Sequence, residues 1–182
     1  MILAYDPKVV RQCHAMWGLR PALHERAKTS EDLYTNALQA ASEQLALEDG
    51  DNIVVVAGTL LGQSGSTNNL RVMTKGDVLV RGTSMNNHRA TGTVKVCKDF
   101  DDAVQKIKKG DIAAVYGFFP EFEQFLDTVG GVLLASNEYD QNLMAKAQQK
   151  HIPIIIDVAG VNRISDGMNV EVIGAKGAVL RK

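Results

Sequence analysis

The stretch from Gly50 to Thr74 leaves the chain few structural choices. Ile53-Val-Val-Val-Ala57 is a continuous apolar, β-branched run, the texture of a strand buried on both faces. Leu70–Thr74 reads as a second strand. Between them, Gly62 to Asn69 is almost all Gly, Ser, Thr and Asn, a composition that marks a loop. Such residues also let successive backbone N–H groups point one way, and their hydroxyls add donors, so the loop can cradle an anion. Two readings follow: a long hairpin turn, or an anion site built from Gly62, Ser64, Gly65, Ser66, Thr67 and Asn68.

The residues before this stretch alternate strand and helix. Met1–Tyr5 is a short apolar strand, and Asp6-Pro7 a helix start with Asp as cap and Pro at the first helical position. The spacing of Val9, Val10, Cys13 and Met16/Trp17 predicts one apolar face on a helix reaching about Trp17. Gly18 stops it, and Leu19–Leu23 is a second strand. Thr29-Ser30-Glu31-Asp32 opens another helix, a hydroxyl cap with carboxylates in the first turn, and Leu33, Ala37, Ala40/Ala41 and Leu45/Leu47 form its buried face. Residues 1–74 therefore read strand–helix–strand–helix–strand–strand, which argues for an α/β unit with a mostly parallel sheet and crossover helices.

A boundary is expected at Lys75-Gly76-Asp77, dividing the chain into 1–76 and 77–182. Beyond it the texture is richer in strands. Val78–Gly82 is a strand, Thr83–Arg89 a polar connection, and Ala90–Cys97 an alternating strand. A helix follows Asp99/Asp101 and ends at Lys108-Lys109-Gly110. Strands at Ile112–Tyr116, Val132–Ala135 and Ile152–Ile156 alternate with helices at Pro120–Leu126 and Tyr139–Gln149. Val170–Ile173 and Ala178–Leu180 close the chain around a Gly174–Gly177 turn.

Composition limits the function. The 182 residues are 45% apolar but only 5% aromatic, so a core must be aliphatic. Net charge is −1 with both signs scattered, which excludes an electrostatic nucleic-acid footprint or a polybasic membrane patch. No apolar run approaches a membrane span and no basic-then-apolar start suggests a signal peptide; a cytoplasmic protein is expected. Cys13 and Cys97 lie far apart in apolar patterns, as inert buried thiols do. His14, His24, His88 and His151 form no metal-ligand motif, and no metal site is expected.

The spelling Gly50-Asp-Asn-Ile-Val-Val-Val-Ala-Gly58, then Gly65-Ser-Thr-Asn68, resembles the end of the C-terminal domain of pyruvate kinase. Ser66 stands where that family usually has Thr. Ile2–Gln12 and Trp17-Gly-Leu-Arg-Pro21 resemble the preceding part of the same domain. The resemblance implies a partial three-layer α/β domain whose loop holds part of an allosteric effector site. The start of that domain, with its first strand and a second phosphate-binding loop, has no counterpart here. A weak sugar-phosphate effector at the loop and a homo-oligomer are the implied partners.

Arg81-Gly82, Ala90-Thr-Gly-Thr-Val94, Lys109-Gly-Asp-Ile112, Ile152–Ile156 and Asp166-Gly-Met-Asn-Val-Glu-Val-Ile-Gly-Ala-Lys-Gly-Ala-Val179 resemble the swivelling phosphohistidine domain of phosphoenolpyruvate-utilising enzymes, a β/β/α fold. Some bacterial pyruvate kinases carry it as a C-terminal extension, in the order seen here. The position of the phosphorylated His falls on Asn142, and an amide cannot serve as that nucleophile. The catalytic part of pyruvate kinase is a TIM barrel, about 250 residues in that fold. It holds the Mg²⁺ and K⁺ ligands, so the resemblance implies no catalytic residue and no cofactor for this chain. A non-catalytic regulatory portion of a pyruvate kinase is the leading reading. A stand-alone module for a phosphorylated metabolite is the alternative, and a phosphotransferase using His88 or His151 ranks last.

Overall fold

The computed structural model describes residues 1–58 and 67–182. They form two compact units, Met1–Lys75 and Gly76–Lys182. Among the described residues, no helix is long and apolar enough to cross a membrane.

The first unit runs β1 (Ile2–Ala4), α1 (Pro7–His14), β2 (Pro21–Leu23), α2 (Ser30–Gln44), β3 (Asn52–Gly58) and β4 (Thr67–Thr74). Asp6 caps α1 by accepting from the Lys8 amide at 2.7 Å, with Pro7 at the first helical position. The helix stops at His14, earlier than its apolar spacing suggested, and Gly18 turns the chain at φ +77°. Met16 and Trp17 are consequently exposed rather than packed; Trp17 is fully so. Helix α2 begins with a reciprocal cap. Thr29 Oγ1 accepts from the Asp32 amide at 3.1 Å, and Asp32 Oδ2 accepts from the Thr29 amide at 3.0 Å. Its buried face is Tyr34, Ala37, Ala40 and Ala41.

The sheet of this unit differs from the mostly parallel one expected. β1 and β2 pair in parallel, as a helical crossover requires, and β3 and β4 pair antiparallel, as consecutive strands of a hairpin do. Among the described residues no ladder joins the two pairs, so the unit carries two separate two-stranded sheets. Nor is β3 buried on both faces. Ile53 and Val55 are half-buried, while Val54 and Val56 are each 59% exposed.

The second unit runs β5 (Val78–Ser84), β6 (Arg89–Cys97), α3 (Phe100–Lys106), β7 (Ile112–Val115), a 3-10 helix (Pro120–Asp127), β8 (Gly131–Leu134), α4 (Gln141–Gln149), β9 (Ile154–Ala159), β10 (Asn169–Ile173) and β11 (Ala178–Arg181). Strands β6 to β9 form a parallel set through their helical crossovers. In place of the β/β/α layering expected for this half, seven strands form one closed sheet, in the order β10-β11-β5-β9-β8-β7-β6. Closure comes from two shared strands. The first half of β6, Arg89–Thr93, pairs antiparallel with β10, and Val94–Cys97 pairs parallel with β7. β5 is shared between β11 and β9 in the same way, with a register shift between Arg81 and Thr83. Gly82 sits at that bend, where a Cβ would lie 2.5 Å from the Ile156 carbonyl oxygen.

The period-2 alternation of the strands divides two cores. Ile112, Ala114, Leu133 and Ile155 point into the barrel with Val94, Val170, Val172 and Val179. Ala113, Val115, Val132, Leu134, Ile154 and Ile156 point outward, against Ala103 of α3, Phe122 and Leu126 of the 3-10 helix, and Leu143 and Ala147 of α4. The Thr83–Arg89 connection is shorter than expected, because Thr83 and Ser84 complete β5 and Arg89 begins β6.

Candidate functional site

The six residues of the expected anion loop fall into two groups. Gly62, Ser64, Gly65 and Ser66 lie outside the described residues. Thr67 and Asn68 begin β4 and are exposed. Thr67 stands opposite Gly58 and Asn69 opposite Ala57, so Asn68 is the extra residue of a bulge at the loop end of the hairpin. Bulges re-aim side chains at sheet rims, which suits a rim that meets a ligand.

Strand alternation adds Arg71, which the sequence reading passed over. Asn69 and Arg71 share one face of β4, the bulge at Asn68 taking Thr67 out of that alternation, and Arg71 is the one cation among the described residues of β3 and β4. Its guanidinium lies 3.0 Å from the Glu31 carboxylate and 4.8 Å from the centre of the Tyr34 ring, which ties the hairpin to α2. The alternation of polar residues at 69 and 71 was the available signal.

The second unit has an analogous position at the start of α4. Asn142, where the resemblance would place a phosphorylated His, is an exposed residue of the first turn. Asp140 caps that turn, its Oδ1 accepting from the Asn142 amide at 2.6 Å and the Leu143 amide at 3.1 Å. The donors that would meet an incoming phosphate are thus engaged by a carboxylate.

His88 and His151 are brought together, although sequence treated them singly. Their rings meet edge-on with centroids 4.8 Å apart, and the buried Nε2 of His88 has no hydrogen-bond partner. Among the described residues, no three His, Cys, Asp or Glu side chains group to hold a metal ion. Cys97 is fully buried, and burial, followed by the Asp102 carboxylate, pushes its thiol up to about 11. Such a thiol is a poor nucleophile. A groove of about 540 Å³ lies between β1, α2 and β3 in the first unit.

Comparison with known proteins bears on this hairpin unit directly. Residues 1–73 match the family model described as the pyruvate kinase alpha/beta domain. Similarity extends further along the chain. A pyruvate kinase of Lactobacillus delbrueckii subsp. bulgaricus is 24% identical over 178 residues, covering 97% of this chain and 30% of that protein. A pyruvate kinase of Staphylococcus aureus (strain USA300) is 25% identical over 181 residues, covering 98% and 31%. The chain therefore spans about 30% of the length of these curated relatives. Among solved structures, aconitase X of Thermococcus kodakaraensis superposes with a TM-score of 0.46 at 18% identity, covering 57% of this chain and 97% of that one. A UPF0107 protein reaches 0.44 at 14% identity, covering 56% and 97%. At these scores neither structure bears on activity or fold.

Proposed function

We propose that this chain is the regulatory C-terminal portion of a pyruvate kinase, the glycolytic phosphotransferase, and that it binds a phosphorylated effector rather than performing phosphoryl transfer. The observation that carries this is the alignment with pyruvate kinases over 97–98% of the chain, through both units and in one order. The family match over 1–73 includes the hairpin whose loop bears the Gly/Ser/Thr/Asn run. Thr67 and Asn68 end that run on an exposed rim, where a hydroxyl and backbone N–H groups can donate to phosphate oxygens. The second unit contributes as a swivelling-type domain in which Asn142 and Asp140 replace phosphohistidine chemistry. Subunit contact is the other role. Val54 opposes Val72 and Val56 opposes Leu70 on one face of the hairpin, and all four are 59–64% exposed. A second copy of the chain is the occupant that a homo-oligomer supplies for this face.

Titration of the ¹⁵N-labelled chain with inorganic phosphate and then a sugar bisphosphate tests the effector site. Saturable shifts are expected at Thr67 and Asn68, with millimolar affinity, about −4 kcal/mol. A site with one loop leaves most of the ligand hydrated, hence the weak binding. Shifts confined to Gly76–Lys182, or none, would remove the effector role. A lactate dehydrogenase-coupled assay with phosphoenolpyruvate and ADP should show no turnover by the purified chain. Turnover that follows the chain through purification would refute the non-catalytic reading.

A further inference from the structure

We infer that His88 and His151 form a two-imidazole site for one divalent transition-metal ion of the zinc or copper kind, with water in its remaining positions. Two independent observations meet there. The first concerns the backbone. Helix α4 ends in a Schellman pattern, the His151 amide donating to the Gln148 carbonyl at 3.3 Å and the Ile152 amide to the Ala147 carbonyl at 2.9 Å. The residue that turns the chain is His151 itself, at φ +58°, where glycine is the usual occupant. A side chain kept at such a position points to a use for that side chain. The second concerns the His88 ring. Its Nε2 is buried and has no hydrogen-bond partner, so it forfeits a bond that water would give it.

The fold carries both rings on fixed backbone. Past β5 the chain keeps running beside the start of β9. The Met85 amide donates to the Ile154 carbonyl at 3.1 Å, and the Asn86 side-chain amide to the Ile152 carbonyl at 2.7 Å. Gly174 closes on the same connection. Its amide donates to the His88 carbonyl at 2.8 Å, and a Cβ there would lie 2.5 Å from the carbonyl oxygens of Asn86 and His88. The ring centres end up 4.8 Å apart. An ion about 2.1 Å from one nitrogen of each ring stands about 3.2 Å from each ring centre, which sets the centres about 4.5–5.2 Å apart for ligand angles of about 90–109°. The rings cross at 86°, so His151, which is exposed, turns about its χ angles to present a nitrogen to the same ion as His88. The flanking cations are neutralised, Lys150 by Asp127 and Arg89 by Glu171. Neutral imidazole favours zinc, nickel and copper over magnesium and calcium, and two imidazoles leave open coordination positions for water.

The test titrates the ¹⁵N-labelled full chain with zinc chloride near neutral pH, with magnesium chloride as the control. Imidazole nitrogen resonances of His88 and His151 should shift saturably, with a Kd below about 100 μM, and those of His14 and His24 should not. Magnesium should shift none of them. His151→Gly separates the site from the fold, because glycine suits the +58° turn and removes a ligand. That variant should keep or raise the urea midpoint of the metal-free chain while zinc binding weakens at least about tenfold. His88→Gln should weaken zinc binding by a similar factor. No saturable shift up to about 1 mM zinc, equal shifts at His14 and His24, or zinc affinity that survives both substitutions would each overturn the inference.

Discussion

Cys97 shows how far one side chain can be argued from its surroundings. It ends β6 fully buried, above Ala103 of α3, and its thiol is held up to about 11 against an ordinary 9.0. The sign follows from proton counts. Between about 9 and about 11 the folded chain keeps this proton and the unfolded chain releases it, so stability falls as pH rises through that window. Urea midpoints at about pH 8 and about pH 10.5, for wild type and Cys97→Ala, isolate the effect. The variant is less stable at the lower pH through lost packing, and the gap between the two should narrow at the higher pH. A constant gap would mean that the thiol titrates alike in both states. The same site was readable in sequence as a buried, inert cysteine, because an alternating strand leaves its position no other face. His88 was not readable in this way. Its edge contact with His151 joins positions 63 residues apart, 151 less 88, and no local pattern encodes such a meeting.

Elements were legible where the local chemistry is self-contained. The Thr29/Asp32 reciprocal cap, Pro7 behind Asp6, and the alternation of Ala90–Cys97 each act within a few residues, and the structure keeps them. The limits came from partners. Trp17 continued an apolar spacing, but the helix stopped one turn sooner because Gly18 already reverses the chain. Val54 and Val56 belonged to a run that reads as doubly buried, yet a sheet needs cover on both sides to bury it and α2 covers one. The closing Gly174–Gly177 turn carries a constraint that sequence shows only as glycine. Gly177 has φ +54°, and a Cβ there would lie 2.2 Å from the Gly82 carbonyl oxygen, while the Gly82 amide donates back to the Gly177 carbonyl at 2.9 Å. This contact locks the β10–β11 hairpin onto the bend of β5. Gly177→Val should therefore cost about 3 kcal/mol or more, combining backbone strain with a clash against backbone. Gly167, at φ +86° with nothing within 4 Å of a Cβ, is the control, and Gly167→Ala should cost about 1 kcal/mol. Denaturant midpoints order the two, and equal losses would show that the close approach relaxes freely.

At the scale of the molecule, the two units differ in what they bury. Among the described residues of Met1–Lys75 the buried apolar side chains are Cys13, Ala22, Tyr34, Ala37, Ala40 and Ala41. Four of these are alanines, each removing little apolar area from water. Gly76–Lys182 buries Ile112, Leu133, Ile154, Ile155, Ile173 and Leu180 almost completely, along with most of its valines. Each such Ile or Leu contributes about 1.5–3 kcal/mol, so the second unit holds a much larger share of the driving force. Sheet closure reinforces this, since a closed barrel has no edge from which to fray. Among the described residues, the first unit has only two-stranded ladders and a half-covered hairpin. Local opening should therefore be far easier there. Native-state hydrogen exchange of the full chain checks it residue by residue. The slowest amides of β3 and β4 should exchange at least about 100-fold faster than those of Ile112–Val115 and Ile154–Ile156, an opening difference of about 2.7 kcal/mol. Equal protection would mean that the alanine-rich face of α2 holds the hairpin as firmly as the barrel holds its strands.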